Sequence, residues 1–206
     1  MKKLLKTVTA AVLALAIALS VAACGAKQDP VQEAQATVEG MFQAFQTLDL
    51  EALAQYTGDA GFLNDDLGLD ELPGDGMAFM QNLLGRMSYE ILNAELADED
   101  TVFVNTKVSA IDMKPVLGQF LAEAMEYAFA HMFDDPAPSE EQLAAEMMKI
   151  LADQLTDPDL AMMTTEVLVE VNRTENGWTV NGTETLANAV LGGLEEAAEE
   201  LSASFS

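Results

Sequence analysis

The sequence predicts an α+β domain in which an antiparallel, curved sheet packs against helices and a helical pair is inserted between strands. Two paired runs with a two-residue period, around 88–111 and 167–180, supply the sheet. Segments with a three-and-four period flank both runs and separate them, which is the order of an α+β fold and not of alternating βαβ units. Half of the 206 residues are hydrophobic and 21% are charged, enough apolar content to build one core.

Residues 1–24 read MKKLLKTVTAAVLALAIALSVAAC: a basic start, an apolar run from Val8 to Leu19, then small residues before a cysteine. This is the three-part order of a signal peptide. The run is too short for a comfortable membrane span, and no basic stop-transfer cluster follows it. Val21, Ala22, Ala23 and Cys24 resemble a bacterial lipobox, which implies a signal peptide over 1–23 and lipid on the Cys24 thiol. Two acyl chains would hold the mature chain firmly, since each buried methylene contributes about 0.8 kcal/mol. Residues 24–29 then form a lipidated tether, and the expected location is the extracytoplasmic face of the cell membrane.

Asp29-Pro30 starts the first helix, with an N-cap carboxylate and proline at the first helical position. Its apolar stripe is Val31, Ala34, Val38, Met41, Phe42, Phe45 and Leu48. Asp49 caps a short second helix to Tyr56, which Gly58 ends. Residues 58–76 read as an irregular loop leading to a helix near Met77 to Arg86. Ser88–Leu96 and Thr101–Ile111 form a hairpin joined at Asp98-Glu99-Asp100.

Val116 to Phe133 reads as a helix that is apolar almost all round, and Ser139-Glu140-Glu141-Gln142 is a capping box opening its partner. Together they make the insertion, about 116–155, within a single domain over 30–206. Val167, Val169 and Val171 begin the second hairpin, with Asn176-Gly177 as its tight turn and Trp178 and Val180 on the return. One closing helix is expected from Glu184 to Leu201.

The opening helix through Val38–Phe45, the segment Asp49–Tyr56, the Tyr89–Val108 hairpin, Trp178-Thr179-Val180 and Leu186–Gly193 together resemble small bacterial lipoproteins. Those have a cone-shaped fold like that of nuclear transport factor two or cystatin. The resemblance implies a cone with an interior cavity, and the helical pair stands out as an addition to it. Cones of this kind also include enzymes, so Tyr56, Asp59, Tyr89, Asp112 and Trp178 form a conceivable pocket set, with Tyr127 and His131 as further contacts.

Charge narrows the partners. Of the nine Lys and Arg, Lys2, Lys3 and Lys6 lie in the leader, which leaves 6 basic against 35 acidic residues and a formal charge of −29. Such a surface repels nucleic acid and anionic headgroups. Cys24 is the only cysteine, so no intramolecular disulfide forms. His131, the only histidine, shares a helical face with Phe120, Ala124 and Tyr127, which reads as structural packing. Asp65, Asp66, Asp70, Glu71 and Asp75 fail the spacing of a calcium loop and read as a solvated acidic loop, so no metal and no cofactor is expected. Met125, Met132, Met147, Met148, Met162 and Met163 gather around the helical pair, where they either fill core or line an apolar groove. The expectation is a membrane-anchored, non-enzymatic binding module for a small apolar ligand or an envelope protein; the alternative is a cavity enzyme of the same superfold.

Overall fold

The computed structural model describes residues 29–58 and 76–203. The leader, the lipobox with Cys24, Asp59 and the acidic loop lie outside the described residues.

Helix α1 (Pro30–Thr47) forms where the sequence places it: the Asp29 carboxylate accepts from the Val31 N–H at 3.0 Å, and Pro30 occupies the first turn. Its face of Ala34, Val38, Met41, Phe42 and Phe45 is buried against all four strands. Asp49 caps α2 (Leu50–Thr57) by accepting from Ala52 N–H, and Gly58, at φ 65°, ends it. Helix α3 (Gly76–Leu84) adds Phe79, Met80, Leu83 and Leu84 to the core.

The sheet is antiparallel throughout, in the order β1 (Ser88–Leu96), β2 (Thr101–Ile111), β3 (Met162–Thr174) and β4 (Gly177–Val180). Val102, Val104 and Val108 of β2 and Val167, Val169 and Val171 of β3 point to the helix-covered face and are buried. The opposite face is open, with Lys107 bridging to Glu90 at 3.6 Å and Leu168 62% exposed. In β1 the alternation would carry Asn93 and Glu95 into the core. A bulge at Leu92, between the pairs Ile91↔Thr106 and Asn93↔Asn105, returns Ala94 and Leu96 to that face instead.

Thr106 is an anomaly on the inner face: it is fully buried and, among the described residues, its hydroxyl has no partner. A buried hydroxyl without a hydrogen bond destabilises, whereas valine has nearly the same shape. Thr106→Val is expected to stabilise the fold by about 1 kcal/mol. The midpoint of thermal unfolding then rises by roughly 2–4 °C; a fall would mean that the hydroxyl is bonded.

Ile111 pairs with Met162, so the chain leaves the sheet and returns to it at the same rung. Between them lie α4 (Met113–His131) and α5 (Glu140–Gln154), a helical pair standing on a hairpin. Helix α4 starts three residues earlier than the sequence suggests, because Asp112 is its N-cap, accepting from Lys114 N–H at 3.1 Å. Proline at position 115 is tolerated within that first turn. Asp112 thus has one carboxylate oxygen engaged in capping α4. Ser139 and Gln142 form both halves of the expected capping box on α5.

The base of the pair is fixed in three ways. Met113, Val116, Ala152 and Leu155 join the core. The Gln154 amide, oriented to satisfy both groups, donates to Val116 O at 3.0 Å and accepts from Phe120 N–H at 3.1 Å. Arg86 donates to the carbonyls of Leu155, Asp157 and Pro158 just past the end of α5.

Two further expectations are corrected. The closing helix is two, α6 (Glu184–Val190) and α7 (Leu194–Ala203), because Gly192 and Gly193 take positive φ (64° and 72°) and break the ladder. Lys114 bonds Glu200 of α7, and that hydrogen bond together with the carboxylate charge raises the lysine pKa. In the second hairpin Thr174 pairs with Gly177, so the two loop residues are Glu175-Asn176, and Gly177 at φ 121° follows the turn.

Candidate functional site

The residues expected around a common cavity are distributed over different parts of the molecule. Trp178, on β4, donates its indole N–H to Glu33 Oε2 of α1 at 3.0 Å. The Arg173 guanidinium lies 4.7 Å over the same ring and 4.0 Å from that carboxylate, and its Nε is 3.9 Å from Asp100. This cluster fastens the start of α1 to the sheet edge. Tyr89, on β1, stacks on buried Phe42 at 4.8 Å and 17°, with its hydroxyl 3.4 Å from Glu39 O. Tyr56, on α2, lies over Gly40, where a Cβ would come within 2.4 Å of its ring, so glycine there makes room for the tyrosine. All three aromatic rings clasp α1 from different elements, and each is engaged in packing.

Tyr127 and His131 sit elsewhere, on α4. Their rings stack at 4.1 Å and 26°, and His131 Nδ1 lies 2.9 Å from Tyr127 O, which requires the proton on that nitrogen. Tyr127 borders an open cleft of about 600 Å³ between the two arm helices, lined also by Pro136, Ala137, Pro138, Gln142 and Lys149. The histidine thus packs at the arm, as its helical face suggests. Among the described residues it makes no contact with Tyr56, Tyr89 or Trp178.

The other face of α4 is where the sequence understates the structure. Met125 is 50% exposed, Phe129 65%, Met132 59% and Phe133 87%. At 100° per residue Met125 and Phe129 fall on one stripe, and Met132, still with helical dihedrals, and Phe133 follow it in the turn just past His131. Gly118 and Ala122 extend the stripe toward the base, are also exposed, and a Cβ on Gly118 would meet nothing within 4 Å. Attention to methionine alone misses Phe129 and Phe133, the two most exposed of the set; their i, i+4 and i+8 spacing from Met125 is the signal that identifies them.

The methionine group itself divides. Met147 and Met148 are partly buried on α5, Met162 and Met163 are the first residues of β3, and Met125 and Met132 remain in solvent. Acidic side chains border the exposed stripe: Glu126 is one helical turn from Phe129, and Asp134 and Asp135 stand beyond the stripe's end, whereas Glu123 lies toward the Tyr127 side and accepts from Gln119 Nε2 at 3.0 Å. Lys114, the lysine of α4, is at the base and held by Glu200. Among the described residues no group of three or more His, Cys, Asp or Glu is placed to hold a metal ion, and no helix is long and apolar enough to cross a membrane.

No family model matches this chain, and no curated protein matches it. Among solved structures it is similar to ycdA of Bacillus subtilis subsp. subtilis str. 168, a protein provisionally assigned as a lipoprotein. The identity is 13% and the TM-score 0.43, over 72% of this chain and 44% of that one. The chain therefore spans less than half the length of that protein.

Proposed function

We propose that this protein is an extracytoplasmic lipoprotein, anchored through Cys24, that works as a non-enzymatic interaction module. The observation that carries the reading is the solvent-exposed apolar stripe of α4, held away from the core on a base fixed by Gln154 and Arg86. Isolated exposed apolar residues are ordinary on protein surfaces. A contiguous row of four large ones, rimmed by charge, is the pattern of a contact surface. The engagement of Tyr56, Tyr89 and Trp178 in clasping α1 gives those side chains a packing role, which supports binding over cavity chemistry.

The leader supports the address, since its basic, apolar and small-residue segments end at the chain's only cysteine. An acidic body gains nothing from an anionic membrane surface, so retention there would depend on the lipid. Cys24→Ala is expected to move the protein from the membrane to the soluble or precursor fraction almost completely, with loss of the diacyl mass from the mature N-terminus. Unchanged membrane retention of the variant, or a wild-type mass without lipid, would refute the anchor.

A further inference from the structure

We infer that the α4 stripe is the docking site for a basic amphipathic helix of another envelope protein, laid along Met125, Phe129 and Phe133 with its cationic side chains against Glu126 and Asp134. The inference rests on the interaction-module reading above and names the partner's chemistry.

Three features converge on this occupant. The stripe runs along a helix and into the turn that ends it, with large side chains toward the tip and Gly118 and Ala122 toward the base. An apolar helix face can therefore lie along it and approach closely where the side chains are small. Its aromatic residues are those that supply most of the affinity when they enter a partner's pockets. Its rim is acidic, which selects the sign of the partner's flanking charges.

The same rim disfavours the other occupants. Two copies pairing through this stripe would bring Glu126 and Asp134 of each toward like charges, on bodies whose formal charge after the leader is −29. An anionic lipid surface would meet the same repulsion.

The test uses the full-length chain as expressed and a helical peptide of roughly 18 residues, about five turns, with leucine on one face and lysine on the other. Controls are the same peptide with glutamate in place of lysine and a scrambled lysine peptide. The lysine helix is expected to bind at least about tenfold more tightly than either control, and more weakly as salt shortens the Debye length from about 10 Å toward 3 Å. Phe129→Ser should lower that affinity about tenfold or more with little change in thermal midpoint, because the ring is mostly in solvent.

Glu126→Lys should weaken binding of the lysine helix and narrow its advantage over the glutamate helix. Equal binding of both charge forms, or binding insensitive to Phe129→Ser, would overturn the inference. So would a dimer in sedimentation that Phe129→Ser dissolves, or Phe129-dependent binding to zwitterionic vesicles; these would assign the stripe to a second copy or to lipid. Failure of peptide binding with the lipid anchor intact would remove only the partner assignment. Loss of the anchor in the Cys24 experiment would remove the address and leave the docking result standing.

Discussion

Gly192→Ala is expected to destabilise the domain by about 3 kcal/mol or more, placing it at the severe end for one methyl group. Gly192 sits at φ 64°, and a Cβ there would lie 1.7 Å from the carbonyl oxygen of Ile111. The left-handed conformation alone costs a non-glycine residue roughly 1–2 kcal/mol. The clash is with backbone, which cannot swing aside as a side chain can. Gly192 O also accepts the Met113 N–H at 3.0 Å, so a shift loosens the junction of β2, the start of α4 and the break between α6 and α7. Chemical denaturation should show a lower midpoint with an unchanged slope. Gly118→Ala is the matched control: it lies in an exposed stretch of α4 with open space around the new methyl, and should be neutral or stabilise by about 0.5–1 kcal/mol. Equal stability of the two variants would contradict the packing described for the junction.

Phe42→Ala is expected to cost about 3–5 kcal/mol, the range for removing a fully buried aromatic ring. The ring is 0% exposed, stacks on Tyr89 and lies 6.4 Å from the Phe45 ring. It joins α1 to β1, so its removal leaves a cavity between two elements that have different partners on their other sides. Thermal unfolding should fall by roughly 6–20 °C for a chain of this size. A loss below about 1 kcal/mol would mean that the helix collapses into the space, and would displace α1 from the organising position it has here.

The elements that were legible in the sequence are those specified by local chemistry. Asp29-Pro30, Asp49 and the Ser139–Gln142 box each mark a helix start because the capping side chain is adjacent to the N–H groups it satisfies. The strands of β2 and β3 announced themselves by alternation, since one face is buried and the other is open.

What escaped the reading depends on distant parts of the chain. The Gly192-Gly193 pair is a local mark of the break between α6 and α7, but nothing near it tells that Ile111 O will lie against Gly192. The bulge at Leu92 is set by which residues must face α1, and the loop of the second hairpin by the pairing of Thr174 with Gly177.

The candidate site was legible in part. The helical pair was recognisable as an addition, and its low polarity pointed either to core or to a contact surface. Deciding between those needed the packing, because an apolar helix carries no label for which face is covered. The structure covers the side of Val116 and Leu117 at the base and leaves Met125, Phe129 and Phe133 in solvent. Trp178 was legible as a special residue but not as a fastener, because Glu33 and Arg173, which engage it, are far from it or unremarkable in sequence.

A working surface on the outer stripe of the arm and one in the space under the sheet would place a bound partner against different methionines. Methionine-methyl NMR of the full chain separates the two, since Met125 and Met132 report on the tip and Met41, Met80 and Met113 on the core. Titration with the lysine-faced helix is predicted to shift the Met125 and Met132 signals and leave the core methyls in place. Shifts at the core methyls with the tip signals unmoved would contradict the account.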